Sequence, residues 1–200
     1  MTALLAAVIA YFLGAIPFGY LLVKWKTGGD VRASGSGNIG ATNVFRSSRL
    51  AGLATLLLDA GKGYLAVWVA GRLSGGSAAC ESLAALAVML GHAYPVFLKF
   101  KGGKAVASLI GAFLCLTPLA AAAEVVVFVV VVAWTRHISL GSIAGAATFP
   151  LAVWLIQKPE PAVVVASLVA GAFIIYKHKS NIERLHAGTE SQFTFGARRA

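Results

Sequence analysis

The chemistry that this sequence suggests begins in residues 34–46, which read Ser-Gly-Ser-Gly-Asn-Ile-Gly-Ala-Thr-Asn-Val-Phe-Arg. Glycines let the backbone approach an anion with its amide protons exposed, and serine, asparagine and threonine side chains add further donors. Arg46 adds a planar guanidinium that suits two-pronged contact with phosphate. Residues 41–46 suit the start of a helix, whose N-terminus would favour an anion further. The segment predicts a phosphate-binding loop containing Ser34, Gly35, Ser36, Gly37, Asn38, Gly40, Thr42, Asn43 and Arg46.

A second segment, residues 91–104, reads Gly-His-Ala-Tyr-Pro-Val-Phe-Leu-Lys-Phe-Lys-Gly-Gly-Lys. Its glycine pair, Gly102 and Gly103, separates the ammonium groups of Lys101 and Lys104. The segment resembles a P-loop only superficially, because the glycine spacing differs and alanine follows the last lysine where a P-loop has serine or threonine. Nucleotide hydrolysis is therefore not predicted.

A third segment, residues 177–185, reads Lys-His-Lys-Ser-Asn-Ile-Glu-Arg-Leu and directly follows an apolar stretch. A lipid-contacting segment at the membrane surface would explain its lysines, but not His178 or Asn181. His178 and Glu183 mimic the His-x4-Asp pair of soluble-type acyltransferases. Because the aspartate and the flanking pattern of that family are missing, we interpret this spacing as coincidence.

The elements that position these segments are predicted to be transmembrane helices. Hydrophobic residues make up 58% of the 200 positions and charged residues only 12%, and the mean hydropathy is +0.82, which a soluble domain cannot accommodate. A single all-α transmembrane domain, residues 1–200, with about seven spans is therefore predicted, and six spans with one re-entrant segment is the alternative. The apolar segments are residues 3–23, 50–70, 79–98, 105–117, 119–134, 141–157 and 161–176.

The orientation follows from the basic residues, because short loops rich in lysine and arginine stay on the cytoplasmic side. Of the 17 basic residues, 14 lie in the first, third and fifth connections between these apolar segments or in the tail after the last one, which includes Arg198 and Arg199. The second, fourth and sixth connections hold only Arg72 and Lys158. An N-terminus outside and a C-terminus in the cytoplasm are therefore predicted. The net charge of +10 is explained by this topology and by anionic lipids, and nucleic-acid binding is rejected.

Few other side chains suggest chemistry. Asp59 and Lys62 stand three residues apart inside the second span, where a charge pair indicates either a functional site or a contact that fixes helix packing. For His92, a packed or loop-positioning role beside the following Pro95 is preferred to a role as a base. Glu124 is expected near the outer end of its span, within reach of the membrane interface.

No metal site or cofactor is predicted, because the four histidines are scattered and the carboxylates are few. Cys80 and Cys115 both map near the outer face, where free thiols are preferred to a disulfide. No cysteine is predicted on the cytoplasmic side, and no serine shows a nucleophile elbow. The sequence therefore offers no evident nucleophile for a covalent intermediate.

Taken together, the three segments resemble the PlsY family, the bacterial membrane glycerol-3-phosphate acyltransferases that use acyl phosphate. The resemblance covers essentially the whole chain. It departs at Ala105, where the family usually has glycine, and at His186, where it usually has leucine. The features that carry the resemblance are residues 35–46, residues 91–97 with 101–104, and His178, Asn181, Ile182, Arg184 and Leu185.

The resemblance implies transfer of an acyl group from acyl phosphate to the sn-1 hydroxyl of glycerol 3-phosphate, giving lysophosphatidic acid and phosphate at the start of phospholipid synthesis. It implies a multi-pass protein of the bacterial inner membrane with its active site on the cytoplasmic face. By motif matching, the expected reaction centre is Ser36, Arg46, Lys104, His178 and Asn181. The expected phosphate cradle is Gly37, Asn38, Gly40, Thr42, Lys101, Gly102 and Gly103.

The expected mechanism is direct attack without an acyl-enzyme, in which the substrate's own phosphate oxygen assists proton transfer and the cations stabilise developing charge. An anion transporter would also be helical, basic and glycine-rich. Transporters bind near the bilayer midplane on broken helices, whereas these segments all gather at one surface. A noncatalytic lipid-binding scaffold would not need the glycine-rich loop with its many donors.

Overall fold

The computed structural model describes residues 1–193, and within that range the chain forms a bundle of ten α-helices. Two basic residues of the predicted cytoplasmic tail, Arg198 and Arg199, lie outside the described residues. Short 3₁₀ turns lie at Val31–Ala33 and Val96–Leu98, and a π-helical turn, Val153–Gln157, continues the helix Ile138–Ala152. The helices are α1 (Thr2–Ala15), α2 (Phe18–Thr27), α3 (Ala41–Ser47), α4 (Arg49–Ser74), α5 (Ala78–Ala93), α6 (Val106–Leu116), α7 (Pro118–Thr135), α8 (Ile138–Ala152), α9 (Pro161–Lys177) and α10 (Lys179–His186).

All seven apolar segments are helical, the first being broken at Ile16 and Pro17 into α1 and α2, which confirms the prediction of an all-helical, multi-pass membrane protein. Five segments are long and apolar enough to cross a bilayer, whereas α9, with 17 residues, reaches that length only if it is counted together with α10 across a 55° bend. The remaining helix, α6, has 11 residues and is about 17 Å long, much shorter than a hydrocarbon core of about 30 Å. The count of seven spans stays a prediction.

Proline and glycine mark two of the helix ends. α6 ends at Leu116 and α7 starts at Pro118, where the missing amide proton of proline would have no helical partner anyway. Thr117 is therefore the single residue between α6 and α7. Gly75 follows α4 in the left-handed conformation, with a φ of 67°.

Small residues allow the helices to pack closely. A Cβ atom added at Gly63 of α4 would lie 2.2 Å from the Ser108 carbonyl oxygen of α6, and one added at Gly111 would lie 1.8 Å from the Ala60 oxygen. Such close backbone contact is how membrane helices gain packing energy without large apolar side chains. Phe113 and Phe149, edge to face at 4.8 Å between ring centroids, fill the centre of the bundle.

The two cysteines are separate free thiols, as expected. Cys80 is buried at the start of α5 and Cys115 is half-buried near the end of α6. Neither contributes to the cavity described below.

Candidate active site

A cavity of about 1040 Å³ opens at the end of the bundle where the basic connections meet. Its polar wall is formed by the loop before α3, the start of α6, the start of α8 and the chain around α10. Apolar side chains of α4, α6 and α7 continue the wall into the bundle. Of the predicted site residues, the cavity brings together Ser36, Asn38, Gly40, Thr42, Arg46, Lys104, His178 and Asn181.

The loop before α3 is organised around the buried side chain of Asn43. Its amide oxygen accepts a hydrogen bond from the Ser36 backbone at 2.9 Å. Its amide nitrogen donates to the carbonyl oxygens of Val31, Ser34 and Asn38 at 3.0, 3.1 and 2.9 Å. A Cβ atom at Gly35 would lie 2.2 Å from the Asn43 amide oxygen, so glycine is needed there for this close approach.

Three of the backbone amides that the glycine loop was expected to offer to an anion have acceptors inside the loop. The amide of Ser36 donates to Asn43, that of Gly37 to the Ser34 carbonyl at 3.1 Å, and that of Gly40 to the Asn38 side chain at 2.8 Å. Gly37 also lies away from the cavity wall. Gly35 and Gly40 line the cavity together with the side chains of Ser36, Asn38 and Thr42, but the three amide protons above point to acceptors within the loop.

The second glycine pair also differs from the expected cradle. The amides of Gly102 and Gly103 donate to the carbonyl oxygens of Ala93 and His92 at 3.2 and 3.1 Å, so both protons are used inside the protein. A Cβ atom at Gly103 would lie 2.1 Å from Nε2 of His92. Lys101 is exposed, and none of the three residues lines the cavity. These residues shape the loop, and only Lys104 reaches the cavity from it.

Ala105 adopts the conformation that glycine would adopt at this position. Its φ is 62° and its ψ is 13°, and it is fully buried at the start of α6. The left-handed conformation costs an alanine about 1 kcal/mol or more. Alanine at this position is therefore held in a backbone conformation that glycine adopts at less steric cost.

We expect Ala105→Gly to keep activity and to melt in detergent at the same temperature as the unchanged protein or higher. Glycine removes the steric cost but adds freedom to the unfolded chain, and the two effects differ by less than about 1 kcal/mol. Ala105→Val should lower the melting temperature, because a β-branched residue at positive φ is a severe outlier. A stable valine variant with full activity would contradict this account of Ala105.

The third segment forms a network of polar side chains at the end of α9. The Lys104 ammonium donates a hydrogen bond to the Asn181 amide oxygen. The Asn181 amide nitrogen donates to Glu190 at 2.7 Å, and the Arg184 guanidinium donates to the other oxygen of the same carboxylate at 2.7 Å. Ser139 of α8 donates to Glu190 at 2.7 Å as well. The network links the second and third segments directly.

Sequence reasoning missed Glu190. The residue lies nine positions after Asn181, outside all three segments, and no periodicity singles it out. The one available signal was charge, because Glu190 is the last of only seven acidic residues and lies in a strongly basic tail. A carboxylate in such surroundings favours a specific pairing.

Electrostatics assigns different protonation states to the polar groups of this network. Burial lowers the pKa of Lys104 to about 8, and Glu190 partly opposes this effect by attraction. Burial and the Lys104 charge lower the pKa of His178 to about 4, so its imidazole is neutral at pH 7. Burial alone would raise the pKa of Glu190, but its hydrogen bonds with Ser139, Asn181 and Arg184 lower it. Lys104 is therefore mainly an ammonium at pH 7, and Glu190 is a carboxylate.

Asp59, Lys62 and His92 form a buried group behind the second segment. Lys62 lies 2.6 Å from Asp59 and donates to the Ile16 carbonyl at 2.8 Å, where the chain breaks between α1 and α2. The Asp59 carboxylate lies 3.5 Å from Nδ1 of His92, whose ring packs against Gly103. Asp59 and His92 reach the cavity wall. This geometry supports the loop-positioning role preferred for His92 and connects the Asp59–Lys62 pair to it.

The expectation that Glu124 reaches the outer interface is wrong. Glu124 is only 4% exposed and its side chain lies on the cavity wall, packed beside Gly145 of α8. One of its carboxyl oxygens has no hydrogen-bond partner within residues 1–193. Glu124 lies on the face of α7 that packs against α8, so it does not reach the membrane interface.

Fold and site define a multi-pass helical membrane protein with a cationic cavity where the helices reach one surface. The chain belongs to the glycerol-3-phosphate acyltransferase family, whose profile matches residues 4–188. The resemblance to the PlsY family that the three segments predicted is thus confirmed.

Named relatives and solved structures agree with this assignment. A glycerol-3-phosphate acyltransferase of Geobacter sulfurreducens is 46% identical over 194 residues, which cover 96% of this chain and 98% of that protein. One of Trichlorobacter lovleyi is 48% identical over 185 residues, covering 92% and 94%. A crystal structure of PlsY, an integral membrane glycerol 3-phosphate acyltransferase, in its glycerol 3-phosphate form has a TM-score of 0.91 and 38% identity, covering 97% and 96%. The lysophosphatidic acid form has a TM-score of 0.89 and 37% identity, with the same coverage.

Proposed function

We propose that this chain transfers a fatty acyl group from acyl phosphate to the sn-1 hydroxyl of glycerol 3-phosphate and releases lysophosphatidic acid and phosphate. The observation that carries the proposal is one cavity that joins a cationic mouth, with Arg46 and Lys104, to an apolar wall inside the bundle. The PlsY structures in glycerol 3-phosphate and lysophosphatidic acid forms support both the acceptor and the product.

The two parts of the cavity suit the two parts of an acyl phosphate. Phosphate groups carry negative charge that guanidinium and ammonium groups bind well at a partly desolvated surface. An acyl chain needs an apolar wall, which α4, α6 and α7 supply through Leu56, Leu57, Ile110, Val125 and Phe128. The charged acceptor would enter from the aqueous side, while the acyl chain stays at membrane depth.

We infer that acyl transfer is direct. The sn-1 oxygen attacks the acyl carbonyl carbon, the bond from that carbon to the phosphate oxygen breaks, and phosphate leaves with the bonding electrons. His178 is a weak base, because its pKa is about 4, and the Lys104 ammonium has no lone pair. A phosphate oxygen of the substrate is therefore the proposed acceptor of the hydroxyl proton.

In this mechanism the protein acts through position and charge. Arg46 is exposed at the cavity mouth, and its side chain makes no hydrogen bond or ion pair within residues 1–193, so its guanidinium is available to substrate phosphate. Lys104 stabilises charge that develops on the acyl oxygen or the departing phosphate. Ser36 and Thr42 are exposed beside Arg46 and would donate to the remaining phosphate oxygens. Asn181 and the neutral His178 orient Lys104 and the acceptor.

The decisive experiment uses purified protein in lipid vesicles with acyl phosphate and glycerol 3-phosphate. Stoichiometric release of phosphate and lysophosphatidic acid is expected, and omission of either substrate should stop lysophosphatidic acid formation. Uptake of phosphate into vesicles without acyl transfer would instead support the anion transporter. A covalent acyl-protein intermediate on the productive pathway would contradict direct transfer.

We also propose that the cavity faces the cytoplasm across the bacterial inner membrane, with the N-terminus outside. The basic connections that meet at the cavity support this orientation. A single cysteine placed at Arg72, in a protein without Cys80 and Cys115, should react with a membrane-impermeant thiol reagent added to the outside of cells. A cysteine at Lys101 should react only after permeabilisation. The reverse pattern would overturn the orientation.

A further inference from the structure

Glu190 occupies a central place in the cavity although the proposed reaction gives it no task. Its side chain is 9% exposed, and three groups donate to its carboxylate at 2.7 Å, from Ser139, Asn181 and Arg184. These donors belong to α8 and α10, so the carboxylate ties the chain after α10 across the mouth of the cavity. Hydrogen bonds to an ionised acceptor are stronger than neutral ones.

The carboxylate determines which way the Asn181 amide faces. An asparagine side chain has a donating NH₂ end and an accepting oxygen end, whereas an ionised carboxylate only accepts and an ammonium only donates. Glu190 therefore faces the NH₂ end of Asn181 and leaves the oxygen for the Lys104 ammonium. If the amide were reversed, an oxygen would meet the carboxylate and an NH₂ group would meet the ammonium, and both contacts would be repulsive.

We propose, resting on the function proposed above, that Glu190 is a positioning residue that fixes the Asn181 amide and thereby aims the charged Lys104 side chain at the substrate phosphate. Glu190 acts through its neighbours and is not itself proposed to touch substrate. Its removal should loosen Lys104 and also change the charge that surrounds it.

The charges around Lys104 make this proposal measurable. Arg46 on α3, Lys177 at the end of α9 and Arg184 on α10 repel a positive charge on Lys104, while Glu190 attracts it. The neutral His178 lies beside them, and Asp59, His92 and Glu124 line the same cavity from α4, α5 and α7. Because the attraction by Glu190 opposes the lowering of the Lys104 pKa, its loss should lower that pKa further.

The test compares the pH profiles of Glu190→Gln, Glu190→Asp and Glu183→Gln. Glu183 is exposed on α10 and is not part of the cavity wall, so Glu183→Gln removes the same charge nearby without touching the network. In Glu190→Gln, we expect kcat to fall on the order of tenfold at pH 7. The alkaline midpoint of activity should move to lower pH by on the order of one unit. Glu190→Asp should recover part of both effects, and Glu183→Gln should match the unchanged protein.

A second measurement does not depend on catalysis. The pH dependence of Lys104 labelling by an amine-reactive reagent, followed by mass spectrometry, reports the protonation of this one side chain. Its midpoint should fall in Glu190→Gln and stay unchanged in Glu183→Gln. A labelling shift in a protein that shows no acyl transfer would support the role of Glu190 and overturn only the proposed function.

Two outcomes would overturn the role of Glu190. One is a Glu190→Gln variant with the same labelling midpoint and activity profile as Glu183→Gln. The other is a lower KM for glycerol 3-phosphate with an unchanged pH profile, because the carboxylate would then compete with substrate phosphate for the cations. Melting temperatures in detergent would identify a variant that is simply unfolded. If Glu190→Gln is unfolded, Glu190→Asp is compared with Glu183→Gln in its place.

Discussion

Arg46→Lys is expected to lose almost as much turnover as Arg46→Ala, on the order of 10²–10³ relative to the unchanged protein. A guanidinium offers a flat fork of donors that matches two phosphate oxygens, whereas an ammonium is a compact point charge on a flexible stem. Arg46 stands at the cavity mouth beside Ser36 and Thr42, where such a fork would meet phosphate. Retaining the positive charge alone should therefore not restore activity. The measurement is steady-state turnover with both substrates in vesicles.

The matched control for this prediction is Arg72→Lys. Arg72 is also exposed, but it lies near the opposite end of the bundle, where its guanidinium stacks on Trp68. The same chemical change there should leave turnover unchanged. Near-normal turnover by a folded Arg46→Ala protein would remove Arg46 from the site and with it the main cation proposed for substrate phosphate.

Much of this site could be predicted because its parts are short, contiguous segments with distinctive composition. Hydropathy placed the helices, and the basic residues predicted that residues 34–46, Lys104 and the segment after α9 would meet at one surface. The structure confirms this meeting, since all three contribute to one cavity. Membrane insertion makes this inference strong, because connections between spans must lie at one surface or the other.

The use of each donor could not be predicted in the same way. Composition shows that a glycine loop has amide protons, but only the fold shows that those of Ser36, Gly37 and Gly40 already have acceptors. Asn43 illustrates the same limit, because its side chain serves the loop instead of a ligand. A residue's hydrogen-bonding capacity is a local property, whereas its partners depend on the tertiary structure.

Glu190 and Glu124 show how burial changes the meaning of a carboxylate. Both are single acidic residues outside any motif, and sequence assigned the first no role and the second a place at the interface. In the structure, Glu190 is paired with three donors at the cavity, while Glu124 is buried between helices with one oxygen unpartnered within residues 1–193. Whether a carboxylate is paired with donors or buried between helices depends on how the helices pack, which the sequence does not provide.

Replacing Lys104 should have an effect as large as that of replacing Arg46, but with a different dependence on the substituting residue. Lys104→Met keeps a long, unbranched side chain and removes the ammonium, so turnover should fall on the order of 10²–10³. Lys104→Arg keeps a positive charge that can donate to Asn181, and partial activity is expected at pH 7. Folding of each variant is checked by melting temperature and by recovery from the membrane fraction.

The pH dependence separates charge from shape at this position. The pKa of Lys104 is about 8, and the proposed mechanism needs its charged form, so turnover of the unchanged protein should fall as pH rises through about 8. An arginine stays protonated throughout this range. The activity of Lys104→Arg relative to the unchanged protein should therefore increase between pH 7 and pH 9, provided that substrate hydrolysis is subtracted at each pH. If the two proteins instead lose activity in parallel, the alkaline loss belongs to another group and Lys104 is not the titrating cation of the reaction.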